Sequence, residues 1–207
     1  GRSMYNYFDV DDDVPLTGNI LINRSTRFLV ETMEEAEALD GLFRTIDDKE
    51  REAFFQEAEK ARRYAERHEL LLEGGAFSTI GGDALAWFCG IEKTILNAHR
   101  RPEVVRRVLQ TVHKHDMEAL QLFLEAGGVD MVFHEGWYEN GHFWSPTLFR
   151  EFLAPLIREE VALAHNHGVK YCHIVTTGLR SLLCLLMDLG VDLIFGIDPV
   201  QGNVDLQ

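Results

Sequence analysis

One short segment of this sequence, residues 134–145, has an unusual density of side chains that could carry out chemistry. The segment opens with His134 and Glu135, an imidazole and a carboxylate that can bind a metal ion or exchange protons. Its large aromatic residues are Trp137, Tyr138 and Trp144. Loops after strands are usually shorter, so we interpret the segment as functional and its rings as the wall of a pocket. The alternative is that the rings only pack over the fold and that His134 is a structural hydrogen-bond donor.

Polar residues also follow two later apolar runs of the chain. His173 closes one run, where an imidazole can be a metal ligand, a proton donor or a buried core residue. Asp198 and Gln201 follow the next run, although Asp-Pro also starts ordinary turns. If the runs are parallel strands, their carboxyl ends meet at one edge, close to His134 and Glu135.

Three repeats of one pattern predict the strands that position these residues. A helix-like segment, a Gly-Val pair and a short apolar run recur at residues 128–133, 168–173 and 190–195. Glycine in the left-handed conformation ends a helix, and consecutive apolar residues are typical of a parallel strand covered on both faces. The two-residue period of a strand places Tyr171, His173 and Val175 on one face. Cys172 and Ile174 then lie on the other face.

Cap and turn signals predict the remaining elements. Helices are predicted at residues 33–44, 47–68, 82–98 with a break at Gly90, 102–126, 145–167 and 179–189. Short strands are predicted at residues 26–31 and 70–72. Strands that alternate with helices indicate an α/β fold, but four clear strands are too few for a closed barrel, which needs eight.

Composition excludes several classes of protein. The formal net charge of −14 argues against a nucleic-acid binder or a protein of anionic membranes, because both need a basic surface. No apolar run approaches the ~18 residues that span a membrane. Three cysteines, Cys89, Cys172 and Cys184, are an odd number in apolar surroundings and indicate reduced thiols in the core. From these features we expect a cytoplasmic enzyme. It could be a piece of a longer enzyme, because 207 residues fall short of the ~250 of a closed eight-unit barrel.

Three stretches resemble the uroporphyrinogen decarboxylase superfamily. The most specific is Phe143–Pro155, FWSPTLFREFLAP, which is similar to the family motif SPxxFxEFxxP. Weaker matches lie at residues 90–104 and 190–201. The resemblance covers most of residues 70–207 and is faint over residues 1–69. It implies a (β/α)8 TIM barrel, of which this chain, a single domain over residues 1–207, is an incomplete central portion.

Within this superfamily the chain is most similar to the cobalamin-dependent methyltransferase branch. These methyltransferases bind zinc through a His-x-Cys pair at a late strand and through a further cysteine. His173 matches the histidine, whereas Val175 stands where the first cysteine would be. The resemblance implies that His173 is a metal ligand, with zinc as the candidate ion. Because the cysteine is missing, we hypothesise that Glu135 supplies an oxygen ligand instead, so that His173 and Glu135 hold a metal ion or polarise the substrate. His134 and Asp198 would be acid–base groups or would support the metal ligands.

The resemblance implies an enzyme that moves a methyl group between a small substrate or thiol and a corrinoid, which a partner protein would carry. The residues expected to line the substrate site are Trp137, Tyr138, Trp144 and Gln201. Two alternatives stay open: a uroporphyrinogen decarboxylase of porphyrin and haem biosynthesis, and a non-catalytic relative that binds a corrinoid or a partner. An incomplete barrel has unpaired sheet edges, so we also expect a homo-oligomer.

Overall fold

Four parallel strands in one sheet lie at the centre of the structure, a computed structural model that describes residues 28–74 and 81–202. The strands are β1 Glu73–Gly74, β2 Met131–Glu135, β3 Lys170–Ile174 and β4 Leu193–Phe195. They lie side by side in sequence order, and each neighbouring pair is parallel, as the repeated Gly-Val pattern predicts. This mixed α/β arrangement is consistent with part of an α/β barrel.

Helices precede and connect the strands. Their bounds are α1 Met33–Ala38, α2 Asp48–His68, α3 Asp83–Phe88, α4 Ile91–Arg100, α5 Pro102–Ala126, α6 Pro146–Phe152, α7 Ala154–Asn166 and α8 Leu183–Leu189, with 3-10 turns at Leu39–Leu42 and Leu179–Ser181. Gly90, at φ +78°, separates α3 from α4 as predicted. The helix predicted over residues 145–167 is two helices, because Pro155 has no amide hydrogen to continue the first one.

Two short strands differ from the prediction. Residues 70–72 are not a strand, because the Leu70 amide still donates to the Ala65 carbonyl at the end of α2, at 3.0 Å. The strand begins only at Glu73. Of the strand predicted at residues 26–31, the first two residues lie outside the described part, and the rest is not a strand. The amides of Leu29 and Val30 donate instead to the Phe88 carbonyl at the end of α3.

The two faces of the sheet have different surroundings. One face contributes to the main hydrophobic core, together with residues of α5, α7 and α8, through Val132, Tyr171 and Val175. We call it the helix face. The opposite face carries a smaller cluster of Phe133, Cys172 and Ile174. This division follows the predicted alternation along β3. At the edge of the opposite face, the Phe195 ring meets the Phe133 ring edge-on and stays 52% exposed.

The cysteines and the helix lengths test two further expectations. All three cysteines are free thiols, as their odd number predicts. Cys184 is exposed, contrary to the expectation of a core position, because α8 buries Leu186 and Leu189 rather than Cys184.

Within residues 28–74 and 81–202, no helix combines the length and the apolar character that crossing a membrane requires.

Candidate functional site

Two adjacent strands hold His134 and His173 side by side on the helix face. The register of β2 and β3 pairs His134 directly with His173. Both side chains are fully buried, and their rings stack with centroids 4.8 Å apart and an angle of 14° between the planes. Both residues lie near the carboxyl ends of their strands, so the structure brings together two of the histidines that the sequence singles out.

His134 lies between two carboxylates. Its Nε2 is 3.0 Å from Glu139 Oε2, and its Nδ1 is 2.7 Å from Glu160 Oε2. Glu139 follows β2 by one tight turn, and Glu160 projects from the buried side of α7. Burial alone favours the neutral imidazole, but the charges of Glu139 and Glu160 outweigh it and raise the pKa of His134 well above its usual value. The ring is therefore an imidazolium that donates to both carboxylates.

Glu160 is the centre of a wider buried network. Its Oε2 also accepts a hydrogen bond of 2.6 Å from the Tyr171 hydroxyl. Its Oε1 lies 3.4 Å from Nδ1 of His113 on α5, and His113 Nε2 lies 2.9 Å from the exposed Glu159. Burial by itself would raise the pKa of Glu160. The His134 charge and the hydrogen bonds to the Glu160 carboxylate outweigh burial, so this pKa lies below its usual value. The network thus fixes the ring of His134 from the helix side.

His173 is the unusual member of the cluster, because neither of its ring nitrogens has a hydrogen-bond partner in the described part of the chain. Its Nε2 is 3.5 Å from Glu139 Oε2, too far for a good hydrogen bond. Burial and the neighbouring His134 charge lower the pKa of His173 to about 4. At neutral pH this ring is uncharged and offers a lone pair.

The amino-terminal end of α3 anchors the loop that carries Glu139. The Gly82 amide donates to Glu139 Oε1. Asp83 accepts hydrogen bonds from the backbone amides of Tyr138 and Trp137, at 2.7 Å and 3.1 Å. Burial, and then repulsion by Glu139, raise the pKa of Asp83 to about 8. The position of Glu139 therefore depends on contacts between two segments far apart in sequence.

Glycines leave the space that the imidazole rings occupy. A Cβ at Gly136 would lie 2.5 Å from His173 Nε2, and a Cβ at Gly81 would lie 2.6 Å from both His134 Cε1 and Glu139 Oε1. Both distances are too short for non-bonded contact. The backbone thus approaches the ring edges as closely as it can, and no side chain fits at either position.

The predicted aromatic residues have different positions. Trp144 is fully buried in the main core, and its indole N–H donates to the Tyr138 carbonyl at 3.0 Å. This contact corresponds to the packing alternative rather than to a pocket wall. Trp137 is 44% exposed, and the Tyr138 ring lies 5.9 Å from the Phe143 ring. The substrate-contacting role of these residues stays a prediction.

The structure does not bring Glu135, Asp198 or Gln201 into the cluster. Glu135 pairs with Ile174 in the register and lies on the face opposite His173, because side chains alternate along β2. The Asp198 carboxylate accepts from the amides of Val200 and Gln201, at 2.9 Å and 3.0 Å, and from the Gln201 side chain at 2.9 Å. This is the turn that Asp-Pro also predicts. The metal pair of His173 and Glu135 stays a prediction.

Several members of the network give little signal in the sequence. Glu139 lies within the predicted functional segment but was not singled out, and His113 looks like an ordinary helix residue. Glu160 gave a signal, since it follows Ile157 by three residues and precedes Ala164 by four, and both are buried. A carboxylate inside an apolar helical stripe indicates a buried polar contact, but the stripe does not show which residue it contacts.

Three ligand atoms converge in the cluster. One nitrogen of His134, one of His173 and one carboxylate oxygen of Glu139 lie within 4.8 Å of one another. The cysteine that the zinc-binding resemblance requires is replaced by Val175, which is fully buried in the main core, and Cys172 lies on the opposite face. The zinc ligands of the resembling family are therefore not reproduced, but two imidazoles and one carboxylate form a donor set that suits zinc.

Comparison with solved structures shows a similarity of fold. A methyltransferase from Methanosarcina mazei has a similar structure, with a TM-score of 0.53 and 14% sequence identity. The similarity covers 66% of this chain and 40% of that methyltransferase, so the chain spans less than half of its length. No protein-family model and no curated protein sequence match the chain. At this identity the likeness shows a shared α/β fold.

Proposed function

We propose that this chain is part of a methyl-transfer enzyme of the uroporphyrinogen decarboxylase superfamily. The enzyme would move a methyl group between a small methylated substrate or a thiol and a corrinoid. The observation that carries the proposal is the cluster of His134, Glu139 and His173 near the carboxyl ends of two parallel strands. Folds of this class collect their reactive groups at that end. The motif at residues 143–155 and the likeness to a methyltransferase structure support the proposal.

Each residue of the cluster has a defined task in this proposal. In the metal-free state His134 holds a proton that Glu139 and Glu160 stabilise, and His173 offers a lone pair. Glu160 and Tyr171 keep the His134 ring in one orientation. A zinc ion bound here would supply a positive charge that keeps a thiol deprotonated, which makes the sulfur a better nucleophile.

The decarboxylase alternative has less support from the described residues. A substrate with many carboxylates needs cationic side chains around it. The buried charged residues of the described part include Asp83, Asp116, Glu139 and Glu160, but no lysine or arginine. The buried charged side chains that the structure describes are thus acidic, and they would repel an octacarboxylate.

The non-catalytic alternative is favoured by one specific observation. The cluster lies on the helix face of the sheet and is fully buried, as expected of a polar network that only holds β2, β3 and α7 together. Val175, in place of a zinc-binding cysteine, agrees with that alternative. Activity measurements separate the two.

Methyl transfer is tested with the full-length protein, methylcobalamin, a panel of small thiols and added zinc. Transfer removes the methyl group from cobalt and changes the visible absorbance of the corrinoid. We expect turnover by the wild type and its loss in His173→Gln. The control His99→Gln changes an exposed histidine of α4 and should keep full activity. No transfer to any thiol or from any methylated donor would refute the proposal, and carbon dioxide released from uroporphyrinogen would favour the decarboxylase.

A further inference from the structure

We infer that His134, Glu139 and His173 form a centre for one divalent metal ion of the zinc type. This set differs from the pair of His173 and Glu135 that the sequence suggests, and from the cysteine ligands of the resembling family. The inference does not depend on methyl transfer, because it concerns binding alone.

The distances between the ligand atoms fit such an ion. Glu139 Oε2 lies 3.0 Å from His134 Nε2 and 3.5 Å from His173 Nε2. Bonds of ~2.0–2.1 Å to zinc in a tetrahedral arrangement separate neighbouring ligand atoms by about 3.3 Å. The ligand nitrogens of His134 and His173 lie within 4.8 Å of each other, so the two rings must also approach one another for all three atoms to bind one ion. Three protein ligands are also the number that catalytic zinc sites use, with the fourth position left for water or substrate.

The unpaired nitrogens of His173 are an independent indication of a ligand. Buried polar atoms nearly always have a hydrogen-bond partner, and a fully buried imidazole whose two nitrogens have none among the described residues needs a physical reason. A Cβ at Gly136 would lie 2.5 Å from His173 Nε2. No side chain at that position could therefore serve as a hydrogen-bond partner for this nitrogen. A metal ion between His173 and Glu139 would use the Nε2 lone pair, which has no hydrogen-bond partner within residues 28–74 and 81–202.

Charge and orientation agree with a dication at this point. Glu139 and Glu160 bring two carboxylates to a fully buried place beside two imidazoles. Glu160 contacts Nδ1 of His134, on the side of the ring away from the ligand atom Nε2. A carboxylate on the far nitrogen of a metal-binding histidine fixes the tautomer and the ring orientation, and it is a common feature of zinc sites. Glu160 is thus a positioning residue for His134.

Metal binding is measured directly on full-length protein that has been treated with a chelator and desalted. After addition of one to three equivalents of zinc chloride and a second desalting step, elemental analysis should find one zinc per chain. Isothermal titration should give a single tight site. Loss of the site in both His173→Gln and Glu139→Gln is expected, and Glu160→Gln should weaken it by about 10–100-fold.

Matched controls separate this centre from other zinc ligands in the chain. His99→Gln and Cys184→Ser change exposed side chains and should leave the zinc content unchanged. Cys172→Ser removes the thiol next to His173 in sequence but on the opposite face, and it should also retain zinc. Circular dichroism shows whether each variant is folded.

A spectroscopic measurement on the wild type covers the case in which the ligand variants do not fold. Cobalt(II) bound by two imidazoles and a carboxylate should give visible absorption bands without the near-ultraviolet charge-transfer band of a thiolate ligand. No bound metal in the wild type, zinc retained by the folded His173→Gln variant, or a thiolate band would each overturn the inference. Zinc binding without methyl transfer would refute only the proposed function, and transfer without zinc would refute only the metal centre.

Discussion

Replacing Glu160 by glutamine tests whether buried charge holds the site together. Glutamine keeps the size of the side chain but removes the negative charge 2.7 Å from His134 Nδ1 and 2.6 Å from the Tyr171 hydroxyl. Removing one partner of a buried charge pair costs about 3–5 kcal/mol, because the other charge stays buried without compensation. We expect Glu160→Gln to lower the free energy of unfolding by this amount, out of the ~5–15 kcal/mol that stabilises a typical domain.

Urea unfolding of metal-free protein, followed by circular dichroism, measures this loss. The matched control is Glu159→Gln, the preceding residue on α7, whose side chain is 64% exposed and lies 2.9 Å from His113 Nε2. The control should stay close to the wild type, because solvent screens an exposed ion pair. Equal losses in the two variants would refute the reasoning, since burial would then make no difference.

The pH dependence of the Glu160→Gln effect gives a second test. The pKa of Glu160 is lowered on folding, so its contribution is present above its unfolded pKa of about 4.3 and is lost as pH falls. The pKa of His134 is raised, so its contribution is complete below its unfolded pKa of about 6.5 and is lost as pH rises. The effect should therefore be largest between about pH 4.5 and 6.5. An effect that grows from pH 6 to pH 8 would contradict a cationic His134.

Three further predictions concern the packing around the cluster. Gly136→Ala places a Cβ 2.5 Å from His173 Nε2 and should cost about 1–3 kcal/mol, whereas Gly41→Ala, with nothing within 4 Å, should not lower the melting temperature. Tyr171→Phe removes the hydroxyl that donates to Glu160 and should cost about 1.5–3 kcal/mol in urea unfolding, so an unchanged midpoint would show that this bond does not contribute. Trp144→Ala empties a fully buried position and should cost about 3–5 kcal/mol, whereas Trp137→Ala changes a half-exposed ring and should have little effect. The reverse order for the two tryptophans would contradict the core position of Trp144.

The local signals in the sequence predict most of the fold. The Gly-Val pairs locate β2, β3 and β4 to within a few residues, because glycine ends the preceding helix and the apolar run must be buried. The two-residue period places Tyr171 and His173 on one face correctly. Gly90 and Pro102 mark helix boundaries for reasons of backbone geometry that do not depend on the rest of the chain.

The composition of the site could be predicted only in part. His134 and His173 stand out because each lies near the end of an apolar run. Their carboxylate partners are set by packing between distant segments: Glu160 reaches His134 from α7, and Glu139 is held by the start of α3. No sequence period fixes how a helix is rotated against a strand. The two-residue period of a strand, in contrast, does place Glu135 on the face opposite His134, and the structure agrees.

The pairing of His134 with His173 also determines how β2 and β3 are aligned. In a sheet, a slip of one residue moves every side chain of a strand to the other face. Such a slip of β3 would place Cys172 or Ile174 beside His134 in place of His173, and it would move the Tyr171 hydroxyl away from the buried Glu160. An apolar pair would tolerate misalignment far better than these charged groups do. The polar cluster therefore selects one alignment during folding, whatever else it binds.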